Sequence, residues 1–186
     1  MSLDVSTRRA GVESTTGVAK GVDRAERRRL ARQDRVSARL AELHCIRSLL
    51  DKAVTVVDAG WVQHSWFTVS DAQGKTRMVT AHNITVVSDQ PVAGACLVGA
   101  VVHAAGGPSM VRTQLVQRSL DLTWHTLYGD ERQPVRWCPP PAIRMANVRD
   151  LTAWNDHPGR TASEVQTLLR SAAQTTRTQA ELASAR

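Results

Sequence analysis

The residue in this chain whose type and setting best suit nucleophilic chemistry is Cys96, near the head of the apolar run VAGACLVGAVVHAAGG, Val92 to Gly107. A thiol at a helix N-terminus has its thiolate stabilised by the helix dipole. His103, His125 or His157 could then be folded near it as base, with Gln63 as an oxyanion donor. The immediate neighbours argue the other way: Ala95, Leu97 and Val98 surround the sulfur with apolar groups. Burial of that kind makes a cysteine a small hydrophobe with a raised pKa. Cys96 therefore stands as a weak catalytic candidate, with a structural role as the stronger expectation. Cys45, His64, His82, Cys96, His103, His125, Cys138 and His157 fall in no recognised metal-ligand spacing, so no metal is expected. Gly106-Gly107 follows a helical run instead of a strand, so it reads as a stop signal and not a phosphate loop. No cofactor is expected.

Three further stretches carry polar chemistry. Between positions 24 and 39 stand Arg24, Arg27, Arg28, Arg29, Arg32, Arg35 and Arg39 against Glu26 and Asp34, a net charge of +5. Such a segment suits an anionic partner such as DNA or RNA, or else forms a solvated helix face. Positive charge at a helix start opposes the macrodipole, so fraying or a partner is expected there. The turn WNDHPGRT, Trp154 to Thr161, groups Asn155, Asp156, His157 and Arg160, which either hold a tight reversal by bonding nearby backbone N–H groups or form a partner-binding corner. Finally, TASEVQTLLRSAAQTTR, Thr161 to Arg177, opens as a helix-turn-helix unit does. It lacks a breaker at Arg170-Ser171-Ala172-Ala173, which favours one continuous helix.

The elements that must position these residues follow from periodicity. Residues 1–22 mix Ser, Thr, Gly and charge without a period and read as a disordered tail; 23–39 form an Arg-rich helical extension. Val36, Leu40, Leu43, Ile46, Leu50, Val54 and Val57 recur at steps of three and four, one face of a long helix ended by Gly60. WFTVS, TRMVT and NITVV between Trp61 and Gln90 predict a strand-rich insert, a hairpin or three-stranded meander with a turn at Asp71-Ala72-Gln73-Gly74. Val92 to Ala105 reads as a short buried helix, Ser109 to Leu127 and Ile143 to Trp154 as further helices, and Tyr128 to Pro141 as a loop. Thr161-Ala162-Ser163-Glu164 has capping-box spacing, opening a last helix whose apolar stripe weakens past Thr175, so 176–186 is expected to fray. The fold class is α+β, mostly α: a single globular domain over 40–175 with a small β insert and a basic N-terminal helix.

Composition bounds the function. Five of seven aromatic residues are Trp, which suits core anchors over a stacking surface. Residues 1–47 carry 11 basic and 6 acidic side chains, and 48–186 carry 13 and 11, so most of the +7 net charge lies outside the expected globular part. Three widely spaced cysteines form no disulfide framework and fit a reducing cytoplasm. No apolar run is long enough to span a bilayer.

Three stretches also carry a resemblance: Gly60-Trp61-Val62-Gln63, then Ala95-Cys96-Leu97-Val98-Gly99-Ala100, then Trp154-Asn155-Asp156 followed by Arg160-Thr161-Ala162-Ser163-Glu164-Val165. With them the chain, from about Leu43 to Ala173, resembles a family of small actinobacterial and actinophage proteins built on a domain of unknown function. The resemblance implies a compact helical domain and an actinobacterial or phage origin, and it implies no reaction. Against it, the strand-like insert Thr68 to Gln90 and the Arg-rich N-terminus look like departures, where a private function would lie. The expected role is a non-enzymatic interaction or regulatory module with a protein partner. The alternative is nucleic-acid binding through Arg24 to Arg39, with or without the helix-turn-helix-like segment, and a cysteine-dependent enzyme comes third.

Overall fold

The computed structural model describes residues 23–81, 83, 91–130 and 133–185. The expected tail, residues 1–22, lies outside them. Helix α1, Arg24–Ala59, is the long helix foreseen from periodicity: Leu43, Ile46, Leu50, Ala53 and Val57 are buried on one face, and the Gly60 N–H closes its end on the Val56 carbonyl. Against that face lies α5, Ala162–Ser184. Its first turn meets the last turn of α1, where Gln166 donates to Asp58 at 3.1 Å, so the two helices run antiparallel. Counting the same number of residues in opposite directions from that contact sets Ser184 level with Leu40. Residues 24–39 therefore extend beyond the end of α5, by about 24 Å at 1.5 Å per residue.

Between these and two shorter helices, α3 (Gln114–Tyr128) and α4 (Pro141–Asn155), sits α2, Leu97–Ala104, packed on α1, α3 and α4. Leu97 through Val102 are all fully buried, as an uncharged eight-residue helix requires. The helix is shorter than expected. Val92–Ala95 is not its first turn but a strand, β3, because Gly94 and the backbone of Trp61 and Thr68 draw it into a sheet. β1 (Phe67–Ser70) pairs antiparallel with β2 (Thr76–Val79), Phe67 opposite Val79, around the foreseen turn, where Asp71 Oδ1 accepts from the N–H groups of Gln73 and Lys75. The order is β2-β1-β3. The expected NITVV strand falls largely on residues outside those described.

Two other expectations change. Pro108–Arg112 is a 3-10 turn, and α3 starts at Gln114. α5 continues regularly past Thr175 to Ser184, because Thr175, Thr176 and Gln179 are buried although their polarity weakens the stripe in the sequence. At Arg170–Ala173 there is no turn, and Ala172 and Ala173 pack into the core, so Thr161 to Arg177 forms the continuous helix that the missing breaker favours and not the helix-turn-helix alternative.

Candidate functional site

Residues from all three stretches of the resemblance meet at the N-terminus of α2. Cys96 caps that helix: its Sγ accepts from the Gly99 N–H at 3.4 Å, and its own N–H donates to the Trp66 carbonyl. The first helical donor, the N–H of Leu97, has no partner within α2 and is one of the groups every helix leaves open. It donates to Asn155 Oδ1 at 3.0 Å, from the other end of α4. The same oxygen accepts from Trp61 Nε1 at 2.9 Å, while Asn155 Nδ2 donates to the Val62 carbonyl at 3.2 Å and to Asp156 Oδ1 at 2.8 Å. An asparagine amide offers two acceptor and two donor positions, and all four are used. Asn155 is fully buried.

Around this node the remaining motif residues complete the closure. Gln63 Nε2 donates to the carbonyls of Asn155 and His157, both at 3.0 Å, so its two N–H groups serve the fold and are not available as oxyanion donors. Asp156 Oδ1 also accepts the N–H of His64, which is held at φ +61°, a left-handed conformation that a non-glycine residue adopts only when neighbouring structure stabilises it. Close backbone approach explains the glycines. A Cβ on Gly99 would lie 1.9 Å from the Trp66 carbonyl oxygen, and one on Gly60 would lie 2.4 Å from that of Ala93. On the outer side, Arg160 lies 3.8 Å over the Trp154 ring, donates to the Trp154 carbonyl at 3.1 Å and pairs with Glu164. The expected capping box forms, and hydrogen bonds from the Thr161 hydroxyl and backbone hold the Glu164 carboxyl below its usual pKa.

This geometry decides what Cys96 can do. Burial pushes its thiol up to about 12, outweighing the backbone hydrogen bonds from Gly99 and Val98, so the sulfur is a protonated cap. Among the described residues no histidine hydrogen-bonds it, and no group of three metal-binding side chains occurs. His103 instead packs edge-on to Phe67. Of the proposed corner, Asn155 is buried, Asp156 and Arg160 are engaged as above, and His157 is exposed. Asn155 and Asp156 reach Trp61–His64 and Leu97, not the neighbouring backbone that the sequence suggested.

A second polar cluster was not foreseen. Asp121, 3% exposed, accepts from the Cys138 N–H at 2.9 Å and from Arg144 at 3.3 Å. Arg118 bridges Glu42 and Cys138 Sγ, and Arg39 donates to Glu42 at 2.6 Å while lying 3.9 Å over the Trp137 ring. Burial works against the charge on Arg118, yet Cys138 and Glu42 outweigh it and hold the guanidinium more firmly protonated than usual. These partners lie up to 76 residues apart, and no spacing in the sequence links them.

The Arg-rich segment is a different kind of surface. Arg24, Arg27, Arg28, Arg29, Arg32 and Arg35 are all exposed, and no residue of 23–38 is buried. Arg39 is tied to the body of the domain, through Glu42 and Trp137.

A mostly α-helical unit with a small antiparallel sheet, closed by a hydrogen-bonded node at the head of its central helix, is thus the class of protein this chain defines. Residues 43–175 match a family of unknown function, DUF6197, and the chain belongs to that family. No curated protein and no solved structure matches it. The family match opens at Leu43, the first buried residue of α1, so Arg24 to Arg39 lie outside it.

Proposed function

We propose that this protein is a non-enzymatic interaction module and that the projecting arginine helix is its contact surface for an anionic macromolecule. One observation carries the reading: the helix leaves the body of the domain at about Leu40 with six arginines exposed and none of its residues buried. A segment that buries none of its residues contributes little to the fold, while a net +5 over residues 24–39 supplies the long-range attraction that polyanion binding requires. The non-enzymatic part rests on Cys96, whose thiol is buried and kept protonated. An actinobacterial or phage origin and a cytoplasmic setting complete the proposal, the first from the resemblance and the second from three unpaired cysteines.

The test is retention of the full chain on a heparin column, wild type against R24Q/R27Q/R28Q/R29Q/R32Q/R35Q. The wild type is expected to elute at distinctly higher salt. Co-elution of the two would remove the arm as the contact surface. A protein partner held by apolar contacts is the second reading, favoured by the exposure of Tyr128 and Met145, at 53% and 69%, and its binding would be nearly independent of salt.

A further inference from the structure

The arginines of the arm are not spread evenly around α1. At about 100° per residue, Arg24, Arg28, Arg32, Arg35 and Arg39 fall within an arc of about 80°, with Arg27 and Arg29 about 60° outside it on either side. Glu26 lies nearly opposite. Successive members of this row are three or four residues apart, which on a helix surface is a spacing of about 5–6 Å. The row extends for about 22 Å.

Its direction is set by the fold. Ile46, Leu50, Ala53 and Val57, which face the core, occupy the same arc of the same helix. One stripe of α1 is therefore apolar where α5 covers it and basic where α5 has ended, so the arginine row overlooks the end of the helical bundle. At its inner end Arg39 stacks on Trp137, and the nearest acid, Glu42, is already paired with Arg39 and Arg118. Glu42 therefore leaves the charge of Arg24, Arg28 and Arg35 in place. Glu181, in the last turn of α5, is the acidic side chain at that end of the helix.

We infer that Arg24, Arg28, Arg32, Arg35 and Arg39 form a one-sided track for the phosphodiester backbone of a nucleic acid, bound without regard to sequence; this rests on the reading of the arm as the contact surface. Guanidinium groups suit phosphate because their planar fork donates two parallel hydrogen bonds to its oxygens. A row of them at regular spacing suits a polymer with a charge at every unit. A protein partner is less well matched, since protein interfaces centre on an apolar or aromatic anchor. The one large exposed hydrophobic of the arm, Leu30, lies on the far side from the row. Base-edge reading is not implied, because contacts to phosphate position a chain without carrying sequence information.

The experiment is fluorescence anisotropy of the full-length protein with a labelled single-stranded DNA, the corresponding duplex, and labelled poly-glutamate, each at several salt concentrations. Two variants of equal charge are compared, R28Q/R35Q in the row and R27Q/R29Q beside it. All four side chains are exposed, so neither variant endangers the fold. Nucleic acid is expected to bind, and R28Q/R35Q to reduce the slope of log affinity against log salt by about 1.4 on the single strand or about 1.8 on the duplex. The affinity loss should be on the order of tenfold, and R27Q/R29Q should lose clearly less. Whichever DNA shows the larger row effect identifies the form bound. Equal losses from the two variants would overturn the track while leaving the arm as a contact surface. Binding of poly-glutamate without nucleic acid would overturn the assignment to phosphodiester. No binding of any probe would remove both this inference and the reading beneath it.

Discussion

The node around Asn155 and the arm from Arg24 to Arg35 are both dense in polar side chains, yet one is buried and the other lies at the surface. At the node each donor and acceptor of the Asn155 amide is matched within the protein, the Gln63 amide serves two carbonyls, and the sulfur of Cys96 caps a helix. On the arm the guanidinium groups of Arg24, Arg27, Arg28, Arg29 and Arg35 take part in no ion pair among the described residues. A saturated polar cluster fixes a fold, because any new ligand must first break bonds that already exist. A solvated one leaves its charge at the surface and adds little to the fold. The residues that carry the resemblance are of the first kind, and Arg24, Arg27, Arg28, Arg29 and Arg35, outside the family match, are of the second.

The largest effect is expected at Asn155. Asn155→Ala removes the partners of the Leu97 N–H, the Trp61 Nε1–H and the Val62 carbonyl in a buried setting, so a loss of about 3–5 kcal/mol is expected by urea denaturation. A loss under about 1 kcal/mol would mean that the node does not hold the fold. Gly99→Ala follows, at about 3 kcal/mol, since its methyl would meet the Trp66 carbonyl oxygen, a backbone atom that cannot swing aside as a side chain can.

Cys96 makes the stability of the node depend on pH. In the unfolded chain the thiol ionises at its ordinary value of 9.0, while burial raises it to about 12 in the fold. Above pH 9 the unfolded state therefore binds fewer protons than the native state, and stability falls as pH rises. The stabilisation is fully present below pH 9 and lost through about 12. Between pH 9 and 10 the wild type should lose up to about 1 kcal/mol more than Cys96→Ala does over the same interval. In the native protein near neutral pH, iodoacetamide should label the exposed Cys45 and Cys138 and leave Cys96 unmodified until the protein unfolds. Rapid labelling of Cys96 would return it to the role of nucleophile.

What the sequence could and could not reveal follows the same division. Periodicity placed α1, α3 and α5, because a helix that buries one face must repeat its apolar residues every three or four positions. The capping box at Thr161 and the turn at Asp71 were also legible, since each depends on residues within four positions of one another. The strand Val92–Ala95 was not, because an uncharged run of small residues has no period to separate strand from helix, and its pairing with Phe67–Val69 is set by distant residues. The Asn155 node was visible only as a cluster of polar residues in a turn. Its partners lie 58 to 94 residues away, a distance over which spacing says nothing. The Asp121–Cys138–Arg144 cluster left no trace for the same reason. The far end of α5 has no legible apolar stripe because Thr176 and Gln179 are polar residues buried by hydrogen bonding, to the carbonyl of Ala173 and to the backbone at Gln133 and Val135.

Smaller effects sharpen the boundary between the two regions. Arg160→Ala removes a stacked guanidinium and a hydrogen bond to the Trp154 carbonyl at the edge of the node, and about 1 kcal/mol of stability should go with them. Arg160→Lys would restore the charge without the planar stack and should recover only part of the loss.

The smallest change is expected where the charge is densest. R24Q/R28Q/R35Q removes three positive charges from a helix that buries none of its residues there, so folding stability should stay within about 0.5 kcal/mol of the wild type. Because positive charge at the start of α1 opposes its dipole, any small change should favour the variant, and more so at low salt. Helix content by circular dichroism and the urea midpoint would be measured together. A substantial loss of stability would show that the arm packs against the end of the bundle, and the distinction between a polar surface used by the fold and one held open for a partner would then fail at the arm itself.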